Sequence, residues 1–243
     1  MSLGGRIPDY NRFPAVTKII LFDIDGTLVL TGGAGARAMT RAFEELFTIP
    51  DAFRGIAMFG RTDAGILFDA AAAHEVAGGE LGRFPGVYLA HLATEIVKPG
   101  PRKGIMPGVR GLLDSLADRT DVYLALLTGN YEEAARVKLE YFDLWRYFRC
   151  GAFGDDAPDR NSLLPKALDR IRQCGGPDAG PADVVVIGDT PLDVACAAAS
   201  GARSIAVATG SYDVDALRST DADVVLRDLS DEAEVLRALQ IPS

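Results

Sequence analysis

Cysteine, histidine and tryptophan are scarce in this 243-residue chain, with three, two and one copies respectively. Cys150, Cys174 and Cys196 form an odd set without a CxxC pair. That pattern argues against zinc binding and a disulfide framework, and for free thiols in a reducing cytoplasm. Basic charge is also short. The formal net charge is −9, so no basic stripe is available to follow a nucleic-acid backbone. One phosphate group is not excluded, because a single cation and a metal ion can hold it locally. Long apolar runs are missing too, none approaching the ~20 residues that cross a bilayer. Met1–Lys18 carries Pro8, Pro14 and mixed charges in place of a signal-peptide core. Nucleic-acid polymers and membranes are therefore not expected partners. Nothing in the composition sets the oligomeric state.

What is present reads as an ordinary globular chain, 48% hydrophobic and 24% charged, long enough for one core plus a smaller appendage. Short β-branched-rich runs occur at Lys18–Phe22, Val122–Leu127, Asp183–Ile187 and Arg203–Val207, with a weaker one at Asp223–Leu226. They are continuous rather than alternating, as strands buried on both faces are. Helical spacing fills the intervals at Gly108–Ala117, Tyr131–Phe142, Leu163–Ile171 and Pro191–Ser200. Alternating strands and helices predict an α/β fold with a mainly parallel sheet.

One stretch breaks the alternation. From Thr31 to Gly104 only helical patterns occur, at Arg37–Phe47, Asp63–Val76 and Val87–Val97, between Gly-rich Thr31–Gly35 and Lys98–Gly104. The two flanks read as linkers or hinges. Gly32-Gly33-Ala34-Gly35 lacks the Lys-Ser/Thr of a P-loop. The expected organisation is a catalytic core of residues 15–30 and 105–243, with an all-helical cap, residues 31–104, inserted after the first strand.

Three strand ends carry the chemistry. The first run ends in Asp23-Ile24-Asp25-Gly26-Thr27-Leu28. Residues two apart on an extended chain point the same way, so both carboxylates can face one site, and Gly26 permits the turn that follows. Adjacent carboxylates repel, which calls for compensation by a divalent cation. The second run ends in Thr128-Gly129-Asn130 before a helix, offering a hydroxyl and free N–H groups to an anion. A third ends in Gly188-Asp189-Thr190-Pro191-Leu192-Asp193, with two acids one helical turn apart. Alone, the first reads equally well as an Asp-Gly turn, the second reads better as a capped helix start, and the third also reads as one. Their convergence on the C-terminal edge of one parallel sheet, where ligands sit, favours function.

Taken in chain order, DIDGTL, LLTGN and IGDTPLD resemble the first, second and fourth motifs of the haloacid dehalogenase-like hydrolase superfamily. The resemblance implies a Rossmann-like core. It also implies a helical first-type cap, since 105 positions separate Asp23 from Thr128 and only 61 separate Thr128 from Asp189. The third element is a basic residue, often in a Lys-Pro pair that this chain lacks. Arg160 and Lys166 compete for the role, and Arg160 is favoured because it stands at the entrance of the Leu163–Ile171 helix. An Arg can bind carboxylate or phosphate with two parallel bonds.

By resemblance, the chain is similar to magnesium-dependent phosphatases of small phosphate monoesters, with phosphoglycolate the leading candidate and sugar phosphates and nucleotides behind it. Asp23 would be the nucleophile that forms an aspartyl-phosphate, and Asp25 the acid–base. Thr128, Gly129, Asn130 and the cation would hold phosphate oxygens. Asp23, the Asp25 carbonyl and Asp189 would hold Mg2+, with Asp193 orienting the cation or the metal's waters. In the cap, Phe59-Gly60-Arg61-Thr62-Asp63 is similar to a stretch of phosphoglycolate phosphatase-like members. Arg61 and Thr62 are candidate substrate contacts, or simply a helix start. His74 and His91 read as structural. A phosphomutase of the β-phosphoglucomutase type would use the same core. A dehalogenase is disfavoured by Asp25, and a non-catalytic binding role by the full set of carboxylates.

Overall fold

A computed structural model describes residues 18–157 and 159–242. The leader reading of the N-terminal segment, and residues 15–17 of the expected core, lie outside the described residues. No helix among those described is long and apolar enough to cross a membrane.

Strand β1 (Lys18–Phe22) occupies the middle of a six-stranded parallel sheet. It is flanked by β4 (Val122–Leu127) and then β5 (Gly151–Ala152) on one side, and by β6 (Val184–Gly188), β7 (Arg203–Val207) and β8 (Val224–Leu226) on the other. Ile19 through Phe22 are fully buried, which explains the continuous apolar run. Alternate residues still serve opposite faces. Ile20, Phe22, Val122 and Leu124 pack with helices α4 (Val109–Ala117) and α9 (Glu232–Leu239). Ile19, Leu21, Tyr123 and Ala125 pack with α6 (Leu163–Gln173) and α7 (Pro191–Ser200). The chain builds outward from β1 through β4 to β5, then crosses to β6, so the switch point lies at β1, with its loops at the C-terminal edge.

Helices α1 (Ala34–Phe47), α2 (Asp63–Ala73) and α3 (Phe84–Glu95) follow one another with no strand between them. They enclose their own apolar cluster around Phe43, Phe53, Phe84, Tyr88 and Leu92. Tyr131 and Ala134 join this cluster from the start of α5 (Glu132–Tyr141). A two-stranded antiparallel ribbon, β2 (Val29–Leu30) with β3 (Gly104–Ile105), joins the way in to the way out. Such short strands give no readable sequence pattern. The two flanks are closely packed, since a Cβ on Gly100 would sit 2.3 Å from the Gly32 carbonyl oxygen. Ala34 and Gly35 belong to α1, so the Gly-rich lead-in is shorter than expected. Buried Glu95 at the end of α3 binds Arg37 and Arg41 of α1, and Lys98 beyond it.

The expectation of three free thiols is corrected. Cys150, just before β5, and Cys174, at the end of α6, are joined as a disulfide with Cα atoms 6.6 Å apart, and Cys196 stays free and buried. Packing of α6 against β4 and β5 brings together two cysteines 24 positions apart, a proximity their count could not reveal. Titration of the denatured, unreduced protein should therefore find one thiol, and three after reduction. Cys150→Ser should lower the unfolding free energy by about 3 kcal/mol, read from denaturant melts.

Candidate active site

Because β1 lies between β4 and β6, the acids that end β1 stand between the residues that end its two neighbours. Asp23 donates its N–H to the Ile187 carbonyl, and its side chain is buried. The chain then turns on Gly26 (φ 89°), while the Ile24 carbonyl accepts from Leu28 and Val29 N–H. A side chain at Gly26 would place its Cβ 2.4 Å from Asp189 Oδ2, so the turn sits directly against that carboxylate.

Arg160 begins a short 3-10 turn, Arg160–Ser162, capped by Asp159. Its buried guanidinium reaches Asp23 Oδ1 at 2.9 Å, Asp193 Oδ1, and the Gly60 carbonyl at 3.0 Å. Its Nε finds no acceptor among the described residues. Burial opposes this charge, but Asp193 and Asp23 outweigh it and hold the Arg160 pKa above its ordinary value. Lys166 is exposed on α6 and does not line the site. The structure therefore brings Arg160, not Lys166, to the carboxylates.

Asp193 is heavily engaged. Besides Arg160, it accepts from Thr190 N–H at 3.0 Å and Thr190 Oγ1 at 2.7 Å, closing a capping box on α7. Among the described residues, Asp189 accepts a single long side-chain bond, from Thr27 Oγ1 at 3.3 Å. Burial, with Asp23 and Asp193 close by, pushes its carboxyl well above the usual range. Asp23 is raised to about 6, chiefly by burial, with Arg160 pulling the other way.

Thr128 is buried at the end of β4, and its Oγ1 accepts from Asn130 Nδ2 at 2.8 Å. Asn130 also donates to Asp25 Oδ2 at 2.9 Å. The same oxygen receives Lys138 Nζ at 2.5 Å, and that ammonium donates to Asn130 Oδ1 as well. Sequence reasoning missed Lys138. The signal was available, because it falls on the buried face of α5 with Ala134, Ala135 and Leu139, where an unpaired lysine would be costly.

The helices contribute a wall. Thr62 caps α2 by accepting from Gly65 N–H at 3.1 Å, so the helix-start alternative describes its hydroxyl. Arg61 lines the cavity, but its guanidinium is bound to Asp69 of α2 at 2.6 Å. Asp63, unanticipated, binds the loop after β4 twice, donating N–H to the Gly129 carbonyl and accepting from Tyr131 N–H at 3.0 Å. Gly129 allows this contact, since a Cβ there would lie 2.1 Å from the Arg61 carbonyl oxygen. His74 and His91 lie away from the site, bonded to the Ala52 carbonyl and to Glu45.

Burial raises the Asp63 carboxyl from 3.8 to about 6 even though Lys138 and Tyr131 favour its charge. The folded chain then binds this proton more tightly than the unfolded chain, so Asp63 costs stability as pH rises through this window. Relative to the native chain, Asp63→Asn should gain about 3 kcal/mol between pH 4 and pH 7, measured by denaturant unfolding.

The cavity between sheet edge and helices measures about 420 Å³ and is lined by Asp23, Asp25, Thr128, Asn130, Arg160 and Asp189, among others. Carboxylate oxygens of Asp23, Asp189 and Asp193 lie within 4.8 Å of one another. Asp25 does not join them, its side chain being held by Asn130 and Lys138. Five carboxylates, Asp23, Asp25, Asp63, Asp189 and Asp193, face two buried cations, Arg160 and Lys138. A hard divalent ion such as Mg2+ fits that excess and the under-bonded Asp189 oxygens.

Acids and a hydroxyl gathered at the switch point of a parallel sheet, beneath a helical wall, define an α/β enzyme with a Rossmann-like core. Comparison with known proteins narrows this class. Residues 20–198 match the family model "haloacid dehalogenase-like hydrolase", and the chain belongs to that family. It is 29% identical to the phosphoglycolate phosphatase of Chromobacterium violaceum over 229 residues, spanning 90% of this chain and 96% of that protein. It is 30% identical to that of Rhodospirillum rubrum, with 88% of each chain covered. Its fold is similar to that of CbbY from Rhodobacter sphaeroides in complex with phosphate, with TM-score 0.65 and 18% identity over 93% of this chain and all of that one.

Proposed function

We propose that this hydrolase is a magnesium-dependent phosphatase that cleaves a small phosphate monoester through an aspartyl-phosphate on Asp23. The observation that carries the reading is the convergence of Asp23, Thr128, Arg160 and Asp189 on one cavity from separate segments of the core. The names of the curated relatives support phosphate-ester hydrolysis and make phosphoglycolate the first ester to test.

Asp23 would attack phosphorus in line, displacing the alkoxide, and Asp25, two residues on, would protonate it. Water would then attack the phospho-aspartate, with Asp25 taking its proton. Arg160 holds the Asp23 oxygen and keeps the nucleophile in place. Thr128 Oγ1 and the Gly129 N–H would take phosphate oxygens, where transition-state charge spreads. The N–H groups of Asn130, Tyr131 and Glu132, expected to be free, already donate to Thr128, Asp63 and Asp155. Mg2+, held by Asp23, Asp189 and the Asp25 carbonyl, would neutralise phosphate charge so that one anion can approach another. Asn130 and Lys138 hold the Asp25 carboxylate, which would face the leaving group. Residues 31–104 would act as the cap that excludes bulk water.

A panel of phosphate esters, assayed for released phosphate with Mg2+ and with EDTA, tests the reading. Release should fall at least about a hundredfold in EDTA and return on adding Mg2+. Persistent release in EDTA would contradict the metal assignment. Isomerisation of sugar phosphates without net release would identify a mutase.

A further inference from the structure

The walls of the cavity differ sharply in chemistry. Its sheet-edge end carries the acids, Thr128 and Arg160, whereas the helices and their loops supply Met39, Ile56, Met58, Phe59, Ile66 and Tyr88. Phe59 is two-thirds exposed, at 67%, and adjoins Leu192 through Gly60, whose Cβ would lie 3.1 Å from Leu192 Cδ1. The cavity thus has an apolar rim as well as an apolar wall.

The cations of the cavity are committed as well. Three line the cavity among the described residues, and each is already paired with carboxylate: Arg61 with Asp69, Lys138 with Asp25, and Arg160 with Asp23 and Asp193. Lys138 also lies close enough to buried Asp63 to be raised by its charge, so two acids share this one ammonium. A carboxylate on the leaving group would enter beside Asp25 and Asp63 with no uncommitted partner, and burying an unpaired charge is costly. A cavity of about 420 Å³ is also far roomier than phosphate plus a two-carbon acid requires.

We infer that the leaving group of the natural ester is an uncharged, largely apolar alcohol bigger than glycolate, received by Met39, Ile56, Met58 and Ile66. The inference rests on the phosphatase reading for the reaction and departs from the relatives' names only in the leaving group. Each methylene that reaches the wall is worth roughly tenfold in kcat/KM.

The test compares phosphoglycolate with 2-phenylethyl phosphate, whose alcohol is intrinsically no better a leaving group, and with ethyl, butyl and hexyl phosphates, all at saturating Mg2+. kcat/KM should rise along the alkyl series and be at least about tenfold higher for 2-phenylethyl phosphate than for phosphoglycolate. Met58→Lys, in a half-buried loop position, supplies the missing cation and should shift that ratio toward phosphoglycolate by about tenfold. Equal or better turnover of phosphoglycolate by the native chain, or a ratio unmoved by Met58→Lys, would overturn the assignment and leave the phosphatase reading standing. Release from no ester of the panel would remove that reading and this inference together.

Discussion

Asp23→Asn should cut phosphate release by at least about 10⁴-fold while leaving the fold intact. The amide is nearly isosteric with the buried carboxylate and keeps an oxygen for Arg160 Nη2, which lies 2.9 Å from Asp23 Oδ1. It is no nucleophile toward phosphorus. The substitution also removes a like charge beside Asp189, one of the causes that push that carboxyl up. The variant without Mg2+ should therefore melt no lower than the native chain, and Mg2+ should raise its melting point by less. Calorimetry with and without the ion, beside a phosphate assay, reads both effects. A variant that kept more than a hundredth of native turnover would remove Asp23 as nucleophile.

Arg160→Met should be the most damaging single change to stability in the site. Arg160 is the cation shared by buried Asp23 and Asp193, and truncating one partner of a buried pair costs about 3–5 kcal/mol. For a chain of this size, that corresponds to roughly a 10 °C fall in melting temperature. Turnover should fall about 10²–10³-fold through loss of oxyanion support. Arg160→Lys separates the two effects. A lysine restores charge, and with it most of the stability, but one ammonium cannot copy the guanidinium fork that spans Asp23, Asp193 and the Gly60 carbonyl. Its kcat should remain about tenfold low. Full activity in Arg160→Lys would show that charge alone matters at this position.

Strands were readable where burial on both faces leaves only apolar residues, as in Ile19–Phe22 and Val122–Leu127. The β2–β3 ribbon was not, because two-residue strands have no period. Helices α8 (Val214–Arg218) and α9 went unread although Asp213 and Asp231 cap them by accepting N–H bonds from Ala216 and Glu234. Strand-end acids were legible because they are consecutive in sequence. Residues that meet them from elsewhere were harder. Arg160 could be chosen over Lys166 from its place before a helix, but Lys138 and Asp63 reach the site only through helix packing. The Cys150–Cys174 pairing depends in the same way on a tertiary approach.

Where the helices meet the sheet edge, backbone lies on backbone. A side chain at Gly129 would collide with Arg61, and one at Gly60 would lie 2.5 Å from Thr190 Oγ1. Those positions have no freedom to vary. Ile56 and Met58 line the cavity from a partly buried loop and can change more freely, whereas Met39 and Ile66 also pack in the helical core. Mutational drift is thereby channelled into the half of the cavity that would meet the alcohol and away from the half that would meet phosphate. A lineage built this way can exchange one ester for another while inheriting its chemistry unaltered, and an engineer who wished to redirect it would begin at Ile56 and Met58.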